Sequence, residues 1–122
     1  NEDEELFQRI TDEYGNFSKI LLENADLKLM SGTLPDHNLN DEQLERKKII
    51  YDLLVSLFER AYLLIYDDKM TKQNQRLWAT WDDYIRFWCK RDDFRKVLPE
   101  LLEGEDLDFI AYIQKVMAQC QR

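Results

Sequence analysis

The sequence predicts an all-α fold, a single-domain bundle of about five helices, and three observations carry that prediction. The first is the segment from Asn40 to Tyr66, which opens with helix-start signals and carries apolar residues at three- and four-residue spacing. The second is the shortage of turn formers: three Gly and two Pro are too few for an all-β chain, whose hairpins consume such residues. The third is size, since 122 residues at 44% hydrophobic content can bury one core without disulfides or metals. One domain across 1–122 is expected, with 40–66 as its central helix.

The first helix is expected over Glu2 to Glu23. Leu6, Phe7, Ile10, Tyr14, Phe17 and Leu21 share one face, and Asp3, Glu4 and Glu5 suit the positive end of the helix dipole. Gly15 costs about 1 kcal/mol relative to Ala in a helix interior and is expected to mark a bend. A connector, Asn24 to Leu39, holds Gly32 and Pro35, and its Leu27, Leu29, Met30 and Leu34 are expected to pin it to the core.

In the central helix, Asn40 caps the first turn while Gln43 reaches back in a capping box, and Leu39 and Leu44 are placed for a hydrophobic staple. Leu44, Ile49, Ile50, Leu53, Leu54, Leu57, Phe58, Ala61, Leu64 and Ile65 surround most of its circumference, leaving Asp52, Ser56 and Glu59 as its less apolar strip. A third helix is expected from Thr71, as cap, to about Lys90, with Trp78, Trp81, Ile85 and Trp88 in one stripe. The fourth runs from Asp92, as cap, to about Leu102, with Pro99 kinking it or starting a separate turn and Gly104 as a stop. The fifth starts at Asp106 and runs to near Gln121, burying Phe109, Ile110, Ile113, Val116, Met117 and Cys120.

Charge narrows the partners. Seventeen basic against 25 acidic residues leave a net charge of −8, with no basic run to hold a phosphate backbone, so nucleic acid is not an expected partner. The same balance argues against direct adsorption to anionic lipid. No stretch approaches the ~18 apolar residues of a membrane span. Cys89 and Cys120 lie far apart in sequence with no metal-ligand spacing, and are expected as reduced, mostly buried thiols.

The acidic pairs Asp67–Asp68, Asp82–Asp83 and Asp92–Asp93 lack the alternating ligands, glycine and closing glutamate of a calcium loop, and read as surface and caps. His37 is the only histidine, so neither zinc nor di-iron ligation is expected. No metal, no cofactor and no catalytic residue is expected, and the chain is not read as an enzyme.

Two groups have a functional reading beside a structural one. Trp78, Trp81 and Trp88 either pack the core or line a groove for an apolar ligand or partner helix; core is preferred, because three exposed tryptophans would favour aggregation. Trp78 is expected to be the most exposed of the three. Glu59 and Arg60 either line the wet strip of the central helix or form a buried contact with an indole N–H or another helix; the strip is preferred.

The stretch Ile20-Leu-Leu-Glu-Asn-Ala-Asp-Leu27 resembles the leu-leu-x-asn-pro-x-leu segment of a group of uncharacterised bacterial helical domains, with Ala25 in the proline position. Tyr51-Asp-Leu-Leu-Val-Ser-Leu-Phe-Glu-Arg-Ala-Tyr62, Leu77-Trp-Ala-Thr-Trp81, Tyr84-Ile-Arg86, Asp93-Phe-Arg95 and Asp108-Phe-Ile110 continue the likeness. The resemblance implies an all-α domain that often follows one or two transmembrane helices, and no catalytic residues. The chain starts at Asn1 and not at Met, and is expected to be a soluble fragment of a longer protein; the resemblance implies a place on the cytoplasmic face, with any membrane anchor in a missing N-terminal segment. The expected function is a non-catalytic interaction or regulatory module with a protein partner or a second copy. The alternative is an apolar-ligand binder beside the Trp78/Trp81/Trp88 stripe.

Overall fold

The computed structural model describes residues 2–32 and 34–120, apart from the Asp3 side chain. The dipole contribution expected of that side chain, and the expected end near Gln121, lie outside the described residues. Within them the protein is all-α, with α1 Glu2–Glu23, α2 Asp41–Ile65, α3 Lys72–Cys89, α4 Asp92–Leu101 and α5 Leu107–Cys120. Two single 3₁₀ turns, Ala25–Leu27 and Asp36–Asn38, punctuate the connector. No described helix is long and apolar enough to cross a membrane. The packing forms two compact units, 1–54 and 55–122, with the border inside the continuous α2.

In the first unit α1 buries Ile10 and Phe17, while Leu6 is exposed and Phe7, Tyr14 and Leu21 are half-buried. The expected bend at Gly15 does not interrupt the helix, and an added Cβ there would meet no neighbouring atom. Of the four residues expected to pin the connector, Leu27 and Leu29 are buried, Leu34 is half-buried and Met30 is exposed; Leu39 is buried as well. Polar bonds hold it too. Arg46 donates to Asp26, Asn24 and Glu42, and the buried Lys47 ammonium lies 2.6 Å from the Asp36 carboxylate and above the Tyr51 ring.

The start of α2 forms the expected capping box: the Gln43 N–H donates to Asn40 Oδ1 at 2.8 Å, and the Asn40 N–H to Gln43 Oε1 at 2.9 Å. The helix is less enclosed than its composition suggested. Ile50, Leu54, Leu57, Phe58, Ala61 and Ile65 are buried, but Ile49, Leu53 and Leu63 share the exposed side with Asp52 and Arg60. Counting apolar residues overstated burial because isolated surface leucines are ordinary.

In the second unit α3 packs on both α4 and α5. Thr71 caps α3 by accepting the Asn74 N–H. Asp92 is not the cap of α4; Arg91 holds that position in extended backbone, and Asp92 is the first helical residue. The Asp93 carboxylate accepts from Arg91 and from the Phe94 N–H. Pro99 starts no separate turn: α4 runs through it to Leu101, and Gly104 follows at φ 84°. Pro99 stands near the helix end, where little of the backbone ladder remains to be lost. In α5 the core is Phe109, Ile113 and Val116; Ile110, Met117 and Cys120 are only half-buried.

Candidate functional site

The aromatic stripe of α3 is core. Trp78, Trp81 and Trp88 are 5%, 1% and 0% exposed, so Trp78 is the most exposed of the three and is still buried. Trp78 meets Tyr62, Tyr66 and Tyr112, Trp81 meets Tyr84, and Trp88 meets Phe87 and Phe94. Around Trp78 the ring centroids stand between 4.7 and 5.7 Å apart, the spacing of aromatic rings in mutual contact. The rings fill one another's space.

Polar groups fasten the edge of this cluster. The Tyr112 hydroxyl donates to Asp82, which also accepts from Arg86 at 2.7 Å, while Arg86 donates to Gln119. Burial raises the Tyr62 phenol above its ordinary value, and Tyr66 and the carboxylates Asp108, Asp106 and Asp68 push it the same way. Glu59 is half-buried and accepts the Asp106 N–H at 2.7 Å, so its bond goes to a helix start and not to an indole; Arg60 is exposed. Among the described residues no group of three His, Cys, Asp or Glu side chains is placed to hold a metal ion.

An open concave surface lies elsewhere, in the first unit, at the end of α1. There the Asn24 N–H and side-chain amide close on the Ile20 carbonyl, at 3.1 and 2.8 Å, satisfying an acceptor that the helix end leaves orphaned. The chain then makes its 3₁₀ turn and reaches Lys28 in left-handed backbone, at φ 55°, with its N–H donating to the Ala25 carbonyl. Such backbone is uncommon for a residue with a Cβ, and here the Gly32 N–H, donating to the Lys28 carbonyl, helps to hold it. The turn sends Leu27 and Leu29 inward and leaves Lys28 and Met30 at the surface.

Between this turn and the helix lies a half-open groove of about 460 Å³. Leu21, Leu22 and Ala25 line one part and Leu29 and Met30 another; Ser18, Ser31 and Lys28 supply the polar atoms. Leu22 and Met30 are 78% and 60% exposed, an apolar lip that water wets. No lining residue is acidic. The nearby Asp26 carboxylate is engaged by Arg46 and Gln43, whose hydrogen bonds hold its pKa well below the ordinary range.

Sequence reasoning missed this site. Leu22 stands one residue off the buried stripe of α1, and that misplaced leucine was the available signal. The left-handed Lys28 had none, since positive φ is announced in a sequence by glycine and, less strongly, by asparagine or aspartate, and lysine is none of these. Against protein-family models, curated proteins and solved structures the chain finds no match.

Proposed function

We propose that this protein is a non-catalytic helical interaction module that acts by binding through the groove at the end of α1. The observation that carries the reading is the exposure of Leu22 and Met30 on the lips of an apolar concavity. Large apolar side chains gathered at a concave surface favour occupation, because filling the groove removes their contact with water. The test places a photo-crosslinking residue at Leu22 or Met30 in the natural host and compares it with one at the exposed Glu100. A discrete adduct at the groove positions alone, lost when the other lip residue is changed to Glu, supports the reading. Equal labelling at Glu100 overturns it.

The groove's size supports the second reading, a binder of small apolar molecules, since about 460 Å³ falls within the ~300–1,000 Å³ of such sites. That reading moves its site from the tryptophans to α1 and the connector.

A further inference from the structure

We infer that the groove takes a single-chain amphiphile with an anionic head, the tail lying along Leu21, Leu22, Leu29 and Met30 and the head meeting the Lys28 ammonium. The inference rests on the second reading, a binder of small apolar molecules, and names the class of ligand.

Three features carry it. The first is charge: in a chain with 25 acidic and 17 basic residues, the groove lining has one cation and no carboxylate. Lys28 makes no ion pair among the described residues, and the nearby acid, Asp26, is already engaged by Arg46. A cation left beside an apolar wall attracts an anion there more strongly than it would in open water.

The second feature is placement. Lys28, in left-handed backbone between buried Leu27 and Leu29, is itself exposed and stands in the groove lining with Leu29. Ser18 and Ser31 are also in the lining, but their hydroxyls donate to the Tyr14 and Lys28 carbonyls, so the cation is the group left for a head.

The third is extent. Eight residues drawn from positions 18 to 31 form the lining, whereas a protein partner typically meets about 20–30 residues a side. The narrow apolar wall with an adaptable methionine at its lip suits a flexible hydrocarbon chain.

The experiment titrates the full chain, at concentrations below micelle formation, with decanoate, 1-decanol and decyltrimethylammonium, reading backbone amide shifts. Decanoate should shift the amides of Leu22, Lys28 and Met30 saturably and bind more tightly than decanol, with the cation weakest. Lys28→Gln should weaken decanoate about fivefold, the size of one exposed ion pair, and change decanol less than twofold. Lys28→Gly, which suits the left-handed backbone, repeats the test should Gln disturb the turn. Leu22→Glu, at an exposed position, should weaken both chains while leaving the remaining amide spectrum in place.

Equal affinity for decanoate and decanol overturns the anionic head and leaves the apolar groove standing. No shift between residues 18 and 31 with any probe overturns the inference entirely. Crosslinking at Leu22 that persists in that case assigns the groove to a protein partner and keeps the module reading.

Discussion

The Glu59 carboxylate accepts the backbone N–H of Asp106 at 2.7 Å, joining the middle of α2 to the start of α5 across 47 positions of sequence. Asp106 in turn accepts the Phe109 N–H at 3.0 Å, so both members together satisfy two donors that the helix start would leave open. The arrangement is a capping box whose second carboxylate comes from another helix. It also sets negative charge at the positive end of the α5 dipole.

Glu59→Ala should therefore lower stability by ~1.5–3 kcal/mol, the scale of a hydrogen bond to a charged group. Glu59→Gln keeps an acceptor oxygen and should cost less. Urea unfolding measures both. A loss below ~0.5 kcal/mol in the alanine variant would mean that water replaces the carboxylate without penalty.

Gly15 gives the opposite sign. It lies mid-helix in α1, is exposed, has no positive φ, and has open space where a Cβ would go. Gly15→Ala should raise stability by ~0.4–1 kcal/mol, mainly by removing conformations from the unfolded chain. Unchanged or lower stability in a thermal melt would show that the helix bends there in solution.

These two residues also show what the sequence can and cannot disclose. Asp106 was legible as a cap because its partner Phe109 lies three positions away and the rule is local. The bond from Asp106 to Glu59 is not legible, because nothing local links residue 59 to residue 106. The helices themselves were legible for the same reason that Asp106 was: apolar spacing and caps are written within a few residues. The groove was not, because it depends on which way a left-handed Lys28 turns the chain. The burial of the tryptophan stripe is legible in the sequence, since buried indoles dominate small helical interiors. The exposure of Ile49 and Leu53 is not legible, since an apolar residue on a helix need not be covered.

The connector should loosen when Asp36 is removed. Lys47 is buried at 6% exposure, and Asp36 is one of the groups that keep its ammonium from being stranded in an apolar setting. Asp36→Ala should speed amide exchange and protease cleavage around Gly32 while leaving the α4 and α5 amides protected. Lys47→Met keeps most of the apolar stem without the charge and should cost less than Lys47→Ala. Equal exchange at Gly32 in wild type and Asp36→Ala would show that Leu27, Leu29 and Leu39 hold the connector by themselves.

The two thiols should behave differently. Cys89 is fully buried and Cys120 half-buried, and both are free. Burial, assisted by Cys120, pushes the Cys89 pKa from an ordinary 9.0 up to about 12. The native state thus holds the thiol proton more tightly than the unfolded chain does. The stabilisation is fully present below pH 9 and is lost as pH rises toward 12, because only the unfolded thiol ionises across that window. Tyr62, also raised by burial, acts in the same direction. Cys89→Ala should accordingly flatten the alkaline decline of stability beyond what Tyr62→Phe alone achieves, whatever its cost at neutral pH. In native protein a thiol-specific disulfide reagent should titrate Cys120 promptly and Cys89 only on unfolding. Prompt reaction of both thiols, or an alkaline slope that Cys89→Ala leaves unchanged, would place Cys89 in contact with water and remove the basis of the pH effect.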